Sequence, residues 1–218
     1  MYTYLKRFLW PMLMPVLFLV SRIPVIDSFG QIISCALYLL ANFLFACILE
    51  RLLFKSESKL KKISYVCFFI VVGTTVDQIV KLVIHRFNVK INIVGEFLAV
   101  RARKNTQQMA MLNFLDLSMD TKWILLFKIL MTVLMILGYW FCRKRNTEGA
   151  FGFIVLTITG VATILDTVCW GYTLDYVYFY RIVSVDLKDF LANIAMGYVL
   201  KTFLEDDVKK LFSSLRKN

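Results

Sequence analysis

The chain has 218 residues, 59% of them hydrophobic and 15% aromatic, with a mean hydropathy of +0.68. That is far more apolar surface than a soluble domain of this length needs for its core, so the composition excludes an ordinary soluble enzyme and indicates an integral membrane protein. The formal charge of +11 does not point to nucleic acid, because Lys and Arg fall in short clusters between apolar runs, the pattern that orients a membrane protein.

A spanning helix needs about 20 mostly apolar residues, and six stretches approach that length: 8–26, 31–54, 63–85, 123–142, 150–172 and 187–204. The first is interrupted by Pro11 and Pro15 and closed by Arg22. No small-residue cleavage site follows "MLMPVLFLV", so a retained, kinked anchor is expected rather than a signal peptide. Between the third and fourth spans, "VKINIVGEFLAVRAR" alternates apolar and polar residues about Gly95, as a small hairpin does. The following "QQMAMLNFLDL" reads as a short amphipathic helix on the membrane surface, and segment 87–121 as a whole reads as a platform over the helix ends. Residues between Asp175 and Asp189 read as a short loop joining the last two spans.

Placing the N-terminus in the cytoplasm puts Lys6, Arg7, "RLLFKSESKLKK", "CRKRN" and the tail "DDVKKLFSSLRKN" on the inside, in line with the positive-inside rule. Both termini are then cytoplasmic and segment 87–121 is outside. The expected fold is an all-α polytopic membrane protein of about six transmembrane helices with a small extracytoplasmic β-sheet platform. The expected division is a two-helix N-terminal extension (1–60), a four-helix core (61–208) and a cytoplasmic tail (209–218).

In this topology the buried charges converge. At about 1.5 Å per residue, Asp77 lies roughly 21 Å up the third span and Asp166 roughly 24 Å up the fifth, while Asp175 follows the fifth and Asp189 opens the sixth. Four carboxylates from three helices thus share one layer near the outer surface, where an unpaired charge costs several kcal/mol. Each has a plainer reading too: Asp77 and Lys81 as an (i, i+4) ion pair, Asp166 as a brace between helices, Asp175 and Asp189 as solvated helix ends. The five cysteines (Cys35, Cys47, Cys67, Cys142, Cys169) show no CxxC spacing and read as small buried hydrophobes, and His85 has no evident partner. With no HExxH, no GxSxG and no Gly-rich phosphate loop, neither a metal nor a cofactor is expected. Two aspartates sharing a proton in a low-dielectric site are the best available catalytic set, one activating water while the other polarises a carbonyl.

At these positions the sequence resembles the lipoprotein signal peptidases (signal peptidase II). "VDQIVK" is similar to the family's DQxxK. "RKNTQQMAML" is similar to its N-x-G-A-A-F loop, with Asn105 at the asparagine. "LDTVCWGYTLDY" is similar to its DR and GxVVDF box, keeping Gly171 and the nine-residue step from Asp166 to Asp175. "VDLKDFLANIAMGYVL" is similar to its FNxADxxIxxG box. The resemblance spans 63–205 and implies an intramembrane aspartyl endopeptidase that cuts the signal peptides of lipid-modified prolipoproteins. Asp175 and Asp189 would form the dyad, supported by Asp77, Lys81, Asn105, Asp166, Gly171 and Asp186. It also implies a monomer in the bacterial cytoplasmic (inner) membrane, in contact with membrane lipids and without nucleic acid, with its active site near the outer leaflet.

The pattern is not fully kept. Ala162 and Thr163 replace the family's GN, Thr167 its arginine, Asp186 an asparagine and Lys188 an alanine, and Gln107, Gln108 and Met109 replace G-A-A. A catalytically inactive relative that binds lipidated peptides or a membrane partner is the alternative these changes favour. A proton-coupled transporter using Asp77, Lys81 and Asp166 as a relay is a further rival, and it requires carboxylates spread through the membrane depth.

Overall fold

The computed structural model describes residues 2–56, 59–60, 62–106 and 120–215. Helix α1 (Tyr2–Arg22) keeps its helical path through Pro11 and Pro15, and a 3₁₀ turn at Ile23–Val25 leads to α2 (Phe29–Ser56). Gln31 starts α2 by accepting hydrogen bonds from the backbone N–H groups of Asp27 (2.7 Å) and Ser28 (3.1 Å), donors that a helix start leaves without partners. Helix α3 (Ile63–Arg86) runs into the hairpin β1 (Lys90–Val94) and β2 (Leu98–Asn105), turning at Gly95 with φ +52°. The hairpin foreseen around Gly95 is therefore present. The surface helix expected at "QQMAMLNFLDL" lies outside the described residues.

Helix α4 (Thr121–Cys142) is capped by Asp120 and α5 (Thr147–Leu165) by Asn146, each side chain accepting from a first-turn N–H. Then come a π-helical turn (Asp166–Trp170), β3 (Thr173–Phe179), β4 (Val183–Val185) and α6 (Leu187–Leu215). The strands form one antiparallel sheet in the order β1-β2-β3-β4. The segment expected as a short loop after Asp175 is thus two further strands, which widen the platform.

Among the described residues, five helical segments are long and apolar enough to cross a membrane: Phe8–Val25, Phe29–Phe54, Ile63–Arg86, Thr121–Cys142 and Thr147–Trp170. The sixth expected span falls on α6, which is long enough but carries Lys188, Asp189 and Lys201 and is not among the five. The segment built on α5 is the centre of the bundle, with 67% of its residues buried against 11–28% in the other four. The flanking helices α2, α3 and α4 turn Phe54, Phe68, Val71, Ile79, Trp123 and Leu137 outward. Such apolar faces belong against lipid, where helices are favoured because their backbone polar groups are satisfied internally.

The two N-terminal helices are packed into this assembly. A Cβ on Gly197 of α6 would lie 2.1 Å from the Trp10 carbonyl oxygen and 2.7 Å from Pro11 Cα, so the bare glycine lets the α1 backbone meet α6 directly. Helix α2 is tied to α6 by Asn193 Nδ2 donating to Tyr38 Oη (2.9 Å) and Tyr198 Oη donating to Glu50 (2.7 Å). Its N-terminal end meets the sheet, where Ser34 Oγ donates to the Phe97 carbonyl (3.0 Å). The sheet therefore covers the end of the bundle at which α3 and α5 finish and α2 and α6 begin.

Candidate active site

Beneath the sheet, α3, the π turn and the start of α6 bring together three carboxylates. One oxygen each of Asp77, Asp166 and Asp186 lies within 4.8 Å of the others. The space among them holds an ammonium: Lys81 Nζ is 2.8 Å from Asp77, 2.7 Å from Asp166 and 2.9 Å from Asp186, with all four side chains almost wholly buried. The expected (i, i+4) pair on α3 is real, and it is one edge of a larger cluster. Gln78 closes it from the side, donating to Asp166 (2.9 Å) and Asp77 (3.3 Å) while accepting from Trp170 Nε1 (3.3 Å). His85 packs edge-on against the Trp170 ring.

Asp186 joins this cluster to a second one. One oxygen each of Asp175, Asp186 and Asp189 also lies within 4.8 Å of the others. Asp186 and Asp189 cap α6 reciprocally: Asp189 N–H donates to Asp186 Oδ1 (3.2 Å) and Asp186 N–H donates to Asp189 Oδ2 (3.1 Å). The cap fixes the rotamers of both acids, leaving Asp186 Oδ2 for Lys81 and for Lys188, which also lies 3.2 Å from Asp166. Asp175 comes from the sheet. It sits on β3 opposite Arg103 of β2, and Asn105 Nδ2, two residues further on β2, reaches its carboxylate at 3.3 Å. Gly171, at φ +72°, makes the left-handed turn that takes the chain from the π turn into β3.

Two acids of this group, Asp175 and Asp186, are shifted in opposite directions. Burial and the negative charge of Asp186 push Asp175 up to about 6, against the smaller pull of Lys188, Asn105 and Lys81. Burial acts on Asp186 in the same sense, but the ammoniums of Lys188 and Lys81 outweigh it and hold Asp186 below the usual carboxylate range. An anion fixed by ion pairs thus sits beside a carboxyl that holds its proton more tightly than an ordinary one. As possible cation ligands, the Asp77, Asp166 and Asp186 oxygens already surround Lys81, and Asp186 is shared by both groups.

The family model described as signal peptidase (SPase) II matches residues 69–204, well over half of the chain. The chain belongs to the signal peptidase II family. Two solved structures that it resembles are each described as a bacterial membrane enzyme structure by the in meso method, at 2.3 and 1.9 Å resolution. Both are 16% identical to it, with TM-scores of 0.57 and 0.56, covering 68% and 66% of this chain and 93% and 96% of theirs. At that identity the likeness concerns the fold alone. Comparison with curated proteins gave no significant match.

All the signal peptidase II positions singled out from sequence (Asp77, Lys81, Asn105, Asp166, Gly171, Asp175, Asp186 and Asp189) fall in or around these two linked groups. Sequence reasoning missed Lys128, whose Nζ donates to Thr167 Oγ1 at 2.7 Å. A cation from α4 therefore contacts the residue that stands where the family pattern has arginine. The departures at Asp186 and Lys188 are likewise a matched pair, an added acid in contact with an added ammonium. A lone lysine within an apolar span was the available signal for Lys128.

Proposed function

We propose that this signal peptidase II is an aspartyl endopeptidase of the bacterial cytoplasmic membrane. It cuts the signal peptide of a prolipoprotein before its lipid-modified cysteine, with Asp175 and Asp189 as the dyad. The observation that carries this reading is the approach of an Asp175 carboxylate oxygen to within 4.8 Å of one from Asp189, although the two residues reach the site on different elements. Carboxyl groups that close in a water-poor setting share one proton. The ionised partner takes a proton from water as its oxygen attacks the scissile carbonyl, and the protonated partner donates to the carbonyl oxygen. Collapse of the tetrahedral intermediate breaks the C–N bond, and the proton taken from water passes to the departing amine.

Lys81 and Lys188 act behind the dyad by holding Asp186 ionised and in place, Asp77 and Asp166 with Gln78 hold those ammoniums, and Asp186 fixes Asp189 through the shared cap. Asn105 orients Asp175. With both termini in the cytoplasm, as the basic clusters favour, the sheet end faces outward; the substrate's acyl chains stay in lipid while water reaches the acids from the aqueous side. The gathering of the acids at one end of the bundle speaks against a transmembrane proton relay. The test is processing of a prolipoprotein followed by gel shift in cells that depend on this chain. Loss of cleavage in both Asp175→Asn and Asp189→Asn, with the proteins still in the membrane, supports the dyad. Normal processing by either variant overturns it and favours the inactive, peptide-binding relative.

A further inference from the structure

The dyad in the proposed function is split between two elements, Asp175 on β3 and Asp189 on α6, so something must hold strand and helix at a fixed separation. The reciprocal cap sets Asp189 relative to Asp186 within α6, and Asn105 sets Asp175 within the sheet. Neither spans the gap between β3 and α6; one direct tie beside the acids is the Leu187 N–H, which donates to Tyr176 Oη (3.0 Å), and it leaves the far side of the strand and the next turn of the helix to be held by other contacts.

Tyr38 of α2 touches both. It is almost completely buried, and its ring meets Phe179, on the same strand as Asp175, edge-on at 5.4 Å between centroids. The same ring lies 6.3 Å from Phe190, the residue next to Asp189, and its hydroxyl accepts from Asn193, one turn along α6 from Asp189 (2.9 Å). Phe190 is also stacked on Phe45 of α2 (4.8 Å, 16°), and Phe179 and Phe190 meet at 6.4 Å. Tyr38 is itself anchored, its carbonyl accepting from Asn42 Nδ2 (2.9 Å). Further along α2 the packing opens into a cavity of about 150 Å³ lined by Ala41, Phe45, Leu98, Tyr176, Leu187 and Phe190. The fit between α2 and the sheet is therefore incomplete there, and the tight contact lies at Tyr38.

We propose that Tyr38, together with Asn193, is a positioning residue of the active site: it clamps β3 and α6 onto α2 and so sets the distance between Asp175 and Asp189. This rests on the reading of those two acids as the dyad. It also gives α2 a role in the reaction, although α2 lies outside the residues matched by the family model. Loosening the clamp lets the carboxyls drift apart, and their mutual repulsion weakens.

Two readouts test this, one of which does not need turnover. In protein labelled with ¹³C-aspartate, the protonated carboxyl band of Asp175 is identified by infrared titration as the one lost in Asp175→Asn. The charged and polar groups around it are Asp186, Lys188 and Asp189 from the start of α6, Lys81 from α3 and Asn105 from β2. In Asn193→Ala, and more so in Tyr38→Leu, the midpoint is expected to fall toward the ordinary carboxylate range. On a diacylglyceryl-cysteine peptide, kcat is expected to drop about tenfold with KM within about twofold, because misplacement of reacting groups acts on the chemical step. Variants that only loosen the fold would lower the melting temperature and leave the Asp175 midpoint where it was. An unchanged midpoint in Asn193→Ala overturns the clamp even if Tyr38→Leu fails to fold. Absence of peptide cleavage by the wild-type protein overturns the proposed function instead, and the titration still decides the clamp.

Discussion

Lys81 and Asp166 stand 85 positions apart in the chain, yet Lys81 Nζ lies 2.8 and 2.7 Å from the two oxygens of the Asp166 carboxylate. The contact joins α3 to the π turn that follows α5, and Asp77 and Asp186 share the same ammonium. Removing that ammonium leaves buried carboxylates facing one another without their common partner. Lys81→Met is expected to destabilise the protein by about 3–5 kcal/mol, the usual cost of orphaning a buried charge. Thermal unfolding in detergent measures this, and a loss under about 1 kcal/mol would mean that the cluster is far better hydrated than its burial implies.

The added pair at Asp186 and Lys188 is expected to behave as one unit. Lys188→Met alone leaves Asp186 and Asp166 short of a cation, whereas Asp186→Asn with Lys188→Met removes one charge of each sign. Prolipoprotein processing and unfolding are expected to suffer more in the single variant than in the double, with a coupling energy of about 1–3 kcal/mol between the two sites. Strictly additive effects would show that the two side chains do not act on each other.

The raised Asp175 makes a signed prediction about pH. Its folded-state value of about 6 lies above that of the unfolded chain, so the folded state binds the extra proton and gains stability below the ordinary carboxylate range. That gain fades as pH rises through about 6. In Asp175→Asn this loss is absent, so the stability of the variant relative to wild type should increase by about 2–3 kcal/mol between pH 4 and pH 7. Unfolding at the two pH values checks it, and a constant difference would place Asp175 in a solvated setting. Wild-type cleavage should rise on the same limb, as the dyad loses the first of its two protons.

The crossing of α1 over α6 depends on Gly197, because the atoms a Cβ would strike belong to the Trp10 and Pro11 backbone and cannot swing aside. Gly197→Ala is expected to cost about 1–3 kcal/mol by forcing the helices apart. Loss of protein from the membrane fraction, or a lowered melting temperature, would register it. A neutral result would show that α1 is free to shift on α6.

How far the sequence spoke depended on what covers each element. The β1–β2 hairpin was legible because apolar and polar residues alternate along the sequence on either side of Gly95, whose left-handed backbone marks the turn. Strands β3 and β4 were not. Thr173, Leu174, Asp175 and Tyr176 are buried in succession, and a strand buried on both faces has no alternation to read. The acids themselves could be found because charge in an apolar run is conspicuous. Asn193 and Tyr38 could not: a polar group one turn inside a helix and an aromatic in a span are ordinary, and only the meeting of α2 with α6 gives them meaning.

The five-residue π turn at Asp166–Trp170 has a consequence for the spacing of the acids. It takes up one more residue than an α turn, and that slack lets Asp166 point inward to Lys81 while the chain still arrives at Gly171 ready to begin β3. Strands are counted in twos, so removing a single residue such as Val168 and restoring an α turn would present Leu174 or Tyr176 where Asp175 belongs and turn the carboxyl to the opposite side of the sheet. The interval between the two aspartates is thus a parity as well as a length.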